Sequence, residues 1–152
     1  MRHKALARRP PRGGAGKGLT PQDYKRISEF RHLLRQFLSF SEAAARTAGL
    51  SPQQHQALLA IKGFSGALTI RELAARLAIR HNTAVELVGR LVTAGLLLRA
   101  REEEDRRKVL LRLTPKANAL LEKLTRAHRD ELRRLGPLMA PLMAPLLRQL
   151  SR

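Results

Sequence analysis

The sequence lacks cysteine and is poor in aromatic residues. With Cys 0, it has no disulfides, thiolate nucleophiles, cysteine zinc sites or thiol redox sensing. Aromatic residues make up only 3%, so the core must consist of Leu, Ala, Val and Ile, a mixture that favours helices over sheets. No stretch approaches the ~18 apolar residues of a membrane span, and no apolar run follows the basic N-terminus as in a secretory signal. We therefore expect a soluble, cytoplasmic protein that does not act at a membrane.

Motifs of catalysis are also missing. The sequence contains no HExxH motif, no glycine-rich phosphate loop and no spacing that suggests a Ser-His-Asp set. We expect His55 and His128 to be surface or semi-buried residues rather than metal ligands. The histidines are scattered along the chain: His3, His32, His55, His81 and His128. The sequence thus predicts a protein that is not an enzyme and has no cofactor and no metal site.

Acidic residues are outnumbered by basic ones. The 152 residues include Lys+Arg 30 against Asp+Glu 12, a formal net charge of +18. A single domain of this size and charge repels itself unless a polyanion is near, which favours nucleic acid and, second, an anionic membrane surface. A solubility feature, or the arginine-rich composition of a GC-rich genome, remains the alternative. Residues 1–19 carry six basic residues and no acid, and they predict a disordered arm that either follows DNA phosphates or is a plain flexible tail.

Helix-start signals recur along the rest of the chain. Thr20-Pro21 predicts a helix through Arg46, stopped by Gly49, and Ser51-Pro52 predicts a second helix that ends at Gly63. The capping box of Thr69 and Glu72 opens a third helix through Leu77. After a turn at 78–80, a fourth helix is predicted over about 81–94, with Gly95 as its stop.

The periodicity then changes from helix to strand. Residues 96–101 and 108–113 predict two strands around the charged loop 102–107, which together form a β-hairpin with a longer, wing-like loop. A very short strand is predicted at 66–68. Thr114-Pro115 starts a fifth helix to Leu135, where Gly136 is expected to break it.

The tail after Gly136 contains a tandem PLMA repeat. Its prolines at 137, 141 and 145 would share one face of a curved helix, with Pro137 well placed as a helix start, and its leucines form an apolar stripe. That stripe is expected to pack either on a second subunit or on the fifth helix of its own chain.

A helix, a short turn, a second helix and a charged hairpin follow one another as in a winged helix-turn-helix. The second helix of such a pair needs an apolar back and a polar front, since its front reaches base edges in the major groove. Asn82 could pair with adenine, Thr83 could touch a thymine methyl or a phosphate, and Arg90 could bind guanine or phosphate. In the loop, Asp105 could clamp one arginine so that Arg107 projects into the minor groove; a solvated loop of weak ion pairs is the alternative.

The sequence resembles the MarR family (multiple antibiotic resistance regulators) over roughly residues 24–135. The resemblance is carried by LSPQQHQALLAI at 50–61, LAARLAI at 73–79, TAVELVGRL at 83–91, AGL at 94–96 and DRRKVLLRLT at 105–114. It departs from the family at Arg80, where a serine N-cap is common, at Glu102, where many members have aspartate, and in the proline-punctuated tail.

The resemblance implies a mainly α fold with a small β-hairpin wing, in which 20–152 form one domain. Residues 51–113 would be the winged helix DNA-binding region, and 20–48 and 115–152 the dimerisation helices of a homodimer. It further implies a regulator, usually a repressor, of a pseudo-palindromic double-stranded DNA operator, released in many members by small phenolic or other aromatic acids. The recognition-helix residues would be Arg80, His81, Asn82, Thr83, Glu86 and Arg90, and the wing residues Arg99, Asp105, Arg106, Arg107 and Lys108. A basic architectural protein that binds DNA without sequence preference is the alternative function.

Overall fold

The computed structural model describes residues 18–150, so the predicted basic arm lies outside the described residues except for its last two. The elements are α1 (Pro21–Thr47), α2 (Pro52–Lys62), β1 (Leu68–Thr69), α3 (Ile70–Leu77), α4 (His81–Thr93), β2 (Leu97–Arg101), β3 (Val109–Leu113) and α5 (Pro115–Leu150). This confirms a mainly α fold with a small β-hairpin. Within residues 18–150, no helix is long and apolar enough to cross a bilayer.

Three of the helices begin at capping boxes. The backbone N–H of Thr20 donates to Asp23 Oδ2 at 2.9 Å, and that of Ser51 donates to Gln54 Oε1 at 2.9 Å. Thr69 donates in the same way to Glu72 Oε2 at 2.8 Å. Each box satisfies N–H groups that the first helical turn leaves without a partner, which explains why the sequence located these starts correctly.

The sheet has the strand order β1-β3-β2 and is antiparallel throughout. Leu97 pairs with Leu113 and Arg101 with Val109 across the hairpin, and Leu68 of β1 pairs with Leu111 of β3. The two-residue strand β1 therefore attaches the start of α3 to the hairpin. The fully buried side chains of this region form one core with α2, α3 and α4: Leu58, Leu68, Leu73, Val88, Leu91, Leu97 and Leu111.

Helix α5 differs from its prediction, because it does not end at Gly136. It continues through Gly136, Pro137, Pro141 and Pro145 to Leu150. A helical glycine costs only about 1 kcal/mol relative to alanine, so it weakens a helix without ending it. Each proline removes one backbone donor, and the four-residue spacing confines these losses to one side of the helix. Pro137 and Pro141 are exposed, so water can reach the carbonyl groups left without a partner.

Helices α1 and α5 pack along each other, and both leave apolar side chains exposed. Leu33 and Ala45 of α1 are buried, whereas Ile27, Leu34 and Leu38 of the same helix are 43%, 37% and 49% exposed. The packing of α5 therefore leaves part of the apolar surface of α1 uncovered.

Candidate nucleic-acid interface

The helix-turn-helix consists of α3, the turn 78–80 and α4. Ala78 adopts a left-handed conformation with φ 52°, and the N–H of Ile79 bonds back to the carbonyl of Ala74 at 3.0 Å. This closes α3 in the way that glycine usually does. No local sequence pattern predicts this conformation, because alanine rarely takes a positive φ. The tight turn fixes α4 against α3 and positions its outer face.

Helix α4 has the two faces that the sequence predicted. Its buried face holds Ala84, Leu87, Val88 and Leu91. Every proposed recognition residue is exposed: Arg80, His81, Asn82, Thr83, Glu86 and Arg90. Arg80 occupies the N-cap without a side-chain capping bond, as expected for arginine at that position. The first N–H groups of α4 are therefore not capped by its side chain.

One apolar residue interrupts this polar face and was missed by the sequence interpretation. Val85 is 39% exposed and lies three residues after Asn82 and next to Glu86. An exposed branched aliphatic side chain on a reading face can contact a thymine methyl group. Its signal in the sequence was an apolar residue out of phase with the buried stripe.

The hairpin carries the charged loop, and its base is tied by backbone bonds. The N–H of Glu102 donates to the carbonyl of Lys108 at 3.1 Å, and the N–H of Lys108 donates to the carbonyl of Asp105 at 2.9 Å. Glu102 Oε2 lies 3.7 Å from Lys108 Nζ and, within the described part of the chain, makes no hydrogen bond. The loop therefore has a defined turn rather than only solvated side chains.

Asp105 makes a different contact from the one predicted. Its Oδ1 accepts from the backbone N–H of Arg107 at 3.1 Å, and no ion pair joins it to an arginine within residues 18–150. The carboxylate thus fixes the loop backbone beneath Arg107 rather than a neighbouring guanidinium. The four basic wing residues are exposed: Arg99, Arg106, Arg107 and Lys108. Arg101 and Arg112 are also exposed on the hairpin and were not singled out from the sequence.

The wing also influences the charge state of α3. Hydrogen bonds from the backbone and hydroxyl of Thr69 lower the pKa of Glu72 below its ordinary value, and the positive charge of Lys108 lowers it further. Glu72 therefore stays ionised at neutral pH and caps the start of α3 through Thr69.

Residues 48–108, which span α2 to the wing loop, match the model of the MarR family. Over these residues the chain is similar to the winged helix of the MarR family.

Solved structures extend the likeness to the long helices. BpsR of Bordetella bronchiseptica is 26% identical, with coverage of 80% of this chain and 89% of that one and a TM-score of 0.59. AbsC, a MarR family transcriptional regulator of Streptomyces coelicolor, is 20% identical, with coverage of 90% and 99% and a TM-score of 0.62. A MepR mutant from S. aureus, bound to an oligodeoxyribonucleotide, is 19% identical, with coverage of 84% and 96% and a TM-score of 0.63. No curated protein matches the chain.

A groove lies between α2 and α5 of this MarR fold. It has a volume of about 690 Å³ and an apolar lining that includes Leu59 and Leu121. Lys62, Arg126 and Arg129 also line it, and Lys62 Nζ donates to Asn118 Oδ1 at 2.7 Å. The carboxylate of Glu122, which pairs with Arg126, also lines the groove, so the charged lining is net positive. Apolar walls beside such a lining suit a small amphipathic anion.

Proposed function

We propose that this MarR-like chain is a sequence-specific, double-stranded DNA-binding transcriptional regulator of the cytoplasm, with no catalytic role. It acts as a homodimer on a pseudo-palindromic operator, as a repressor. The observation that carries the proposal is that α4 buries an apolar face and exposes all six polar recognition residues, while the same domain extends a structured basic hairpin. An α-helix fits the major groove, and a projecting arginine suits the narrow minor groove.

In this proposal each exposed side chain of α4 has a role that its chemistry allows. Asn82 can bond both N6 and N7 of adenine, and Arg90 can bond O6 and N7 of guanine or a phosphate. Thr83 contacts a thymine methyl or a phosphate. Glu86 accepts from cytosine N4 or orients Arg90, with which it shares a helix face at a four-residue spacing. Arg80 and His81, at the start of α4, lie where phosphates approach a helix N-terminus.

The wing contributes contacts in the neighbouring groove. Arg107 enters the minor groove, and the bond from its backbone to Asp105 reduces the freedom that binding would otherwise remove. Arg99, Arg106 and Lys108 contact phosphates, where they add affinity but little sequence preference.

The proposed homodimer explains the exposed apolar side chains of the long helices. In addition to the α1 residues described above, Leu132 and Leu138 of α5 are 47% and 54% exposed. Several large apolar side chains exposed along two packed helices suit an interaction site. We assign 20–48 and 115–152 to dimerisation and 51–113 to DNA binding. In the dimer, the α4 helices of the two subunits are the two reading heads. If they lie about 34–36 Å apart, one DNA turn, they would fit a two-fold operator.

The groove between α2 and α5 is our candidate for an effector site. A small aromatic or phenolic acid would place its ring on Leu59 and Leu121 and its carboxylate near Lys62, Arg126 or Arg129. The BpsR structure describes regulation of DNA binding by 6-hydroxynicotinic acid, an acid of this class. Titration of the DNA complex with a panel of aromatic acids tests the assignment. Release that persists unchanged in Arg126→Ala and Arg129→Ala would place the acid elsewhere.

The alternative function is a basic protein that binds DNA without sequence preference, and the net charge of +18 favours it. Selection of bound duplexes from a random pool separates the two. A regulator yields a palindromic consensus and binds it ~10³–10⁷ times more tightly than unrelated DNA. Enrichment without a consensus, at a ratio near one, would overturn the regulator proposal in favour of the architectural one.

A further inference from the structure

A histidine pair lies where three helices meet. His55 of α2 is buried, with 4% of its surface exposed, and not on the surface or semi-buried as the sequence suggested. Its ring centroid lies 5.0 Å from that of His128 of α5, at an interplanar angle of 38°. Phe37 and Phe40 of α1 contact the His128 ring edge-on, at 5.9 and 5.7 Å. The pair therefore links α2, in the winged helix, to both long helices.

The hydrogen bonds of His128 define the tautomer of its neutral ring. Its Nδ1 lies 2.6 Å from the carbonyl oxygen of Leu124, and its Nε2 lies 2.7 Å from Ser41 Oγ. A carbonyl can only accept, so Nδ1 carries a hydrogen and donates it. In the neutral ring, Nε2 then accepts from the Ser41 hydroxyl. If Nε2 gains a proton, it can donate to Ser41 Oγ instead, so His128 keeps both partners in either charge state.

His55 is the more sensitive member of the pair. Burial lowers its pKa from the ordinary value, and the proximity of His128 lowers it further. A positive charge on a ring 5.0 Å away in an apolar setting repels a proton on His55. The packed junction therefore favours the neutral form of His55.

The carboxylates around the pair do not neutralise a positive charge on either imidazole, because each is paired with an arginine. Near the pair in sequence, Glu42 of α1 is exposed and pairs with Arg46, and Asp130 of α5 is exposed and pairs with Arg129 and Arg133. Glu131, three residues after His128, has a side chain that is only 13% exposed, and its carboxylate pairs with Arg134. Arg126 pairs with Glu122 on the surface of α5. The charged side chains of α3, α4 and β3 are exposed, as is Lys62 of α2. Among residues 18–150, no carboxylate forms an ion pair with His55 or His128.

We propose that His55 and His128 form a proton-sensitive junction through which acidification loosens the winged helix from α1 and α5. The His128 ring packs against Phe37, Phe40 and the neutral His55 ring, whereas a charged His55 is better hydrated when α2 moves away. In a dimer, that movement would release the fixed spacing of the two reading heads and weaken operator binding. This last consequence rests on the proposed function, whereas the loosening itself does not.

The direction follows from proton linkage. Because the packed junction holds the pKa of His55 below its ordinary 6.5, the opened form binds more protons and gains population as pH falls through that value. The stabilisation of the packed junction by a neutral His55 is present above pH 6.5 and is lost as the pH falls below that value. One proton changes the opening equilibrium by up to about tenfold at pH 5.5.

Hydrogen exchange of the full chain at pH 7.5 and 5.5, corrected for intrinsic rates, tests the junction. Protection at 52–62 and 120–135 should fall by up to about tenfold in the wild type and by far less in His55→Phe. His32→Gln is the matched control, because it removes an exposed imidazole of α1 and should keep the wild-type response. Should His55→Phe fail to fold, His128→Gln serves, since it removes the repelling neighbour and should raise the NMR titration midpoint of His55.

Equal loss of protection in the wild type and His55→Phe, or a His55 midpoint that does not move in His128→Gln, would overturn the proposal. Binding of the duplex selected above should weaken at pH 5.5 in the wild type and less in His55→Phe. If protection responds as expected but no duplex is preferred at any pH, the junction stands and the regulator assignment fails.

Discussion

Arg107 and Asp105 illustrate how a wing side chain is positioned by its own loop. The carboxylate accepts from the Arg107 backbone at 3.1 Å, and the adjacent Lys108 N–H closes the turn on the Asp105 carbonyl at 2.9 Å. The guanidinium itself remains exposed. Sequence reasoning identified both residues but not the contact, because Asp105 is followed by two arginines and spacing alone does not reveal whether the carboxylate binds a side chain or a backbone N–H.

Replacing Arg107 by Ala should weaken operator binding by about 1–3 kcal/mol, roughly 5- to 150-fold, because a groove contact and its charge are lost. Fluorescence anisotropy with the selected duplex measures the change. Arg106→Ala is the matched control, since it removes the same charge from the next position and should cost mainly a phosphate contact. Equal losses in both variants, on operator and unrelated DNA alike, would reduce the wing to a nonspecific basic patch.

At the scale of elements, α5 depends on residues that sequence rules treat as breakers. Gly136 has an ordinary helical conformation, and within residues 18–150 no atom beyond its chain neighbours and local helix backbone lies within 4 Å of where its Cβ would be. Pro137 and Pro141 lie on an exposed side of the helix, so water can reach the backbone carbonyls that lack a hydrogen-bond donor because of these prolines. The predicted break at Gly136 was wrong because α5 packs along α1, and tertiary packing supplies more free energy than one glycine removes.

Gly136→Ala should therefore stabilise the chain by about 0.5–1 kcal/mol, since alanine loses less backbone entropy in a helix. Gly95→Ala provides the contrast, because Gly95 ends α4 with φ +71° and a side chain there is strained by roughly 1–2 kcal/mol. Denaturant unfolding at fixed protein concentration measures both. Destabilisation by Gly136→Ala would mean that its missing Cβ makes room for a contact in the dimer.

For the whole molecule, charge and apolar exposure point to different partners. The net charge of +18 favours a polyanion, and the exposed basic side chains of α4 and the hairpin provide a place for it. The exposed leucines of α1 and α5 favour a second copy of the chain. A two-headed dimer would satisfy both, with one surface for each partner.

If DNA binds to the basic surface and the second copy of the chain to the apolar one, salt should weaken DNA binding steeply. Should the dimer contact 6–10 phosphates, affinity falls by about 10³–10⁵ between 50 and 200 mM salt, because binding releases counterions from DNA. Dimerisation through apolar surface should respond little over the same range, which sedimentation equilibrium checks. A shallow dependence of DNA affinity on salt would contradict the electrostatic part of the interface.

The sequence by itself determined the order and type of nearly every element. Capping boxes, helical periodicity and the change of period at Leu96 are local signals, and they located α1 to α4, both hairpin strands and the two faces of α4. Tertiary structure decided what depends on contacts between distant residues. Examples are the persistence of α5 beyond Gly136 and the meeting of His55 with His128, which are 73 positions apart in sequence. Local patterns reflect the conformational preferences of a few neighbouring residues. Burial and long-range pairing depend instead on which surfaces the folded chain brings together.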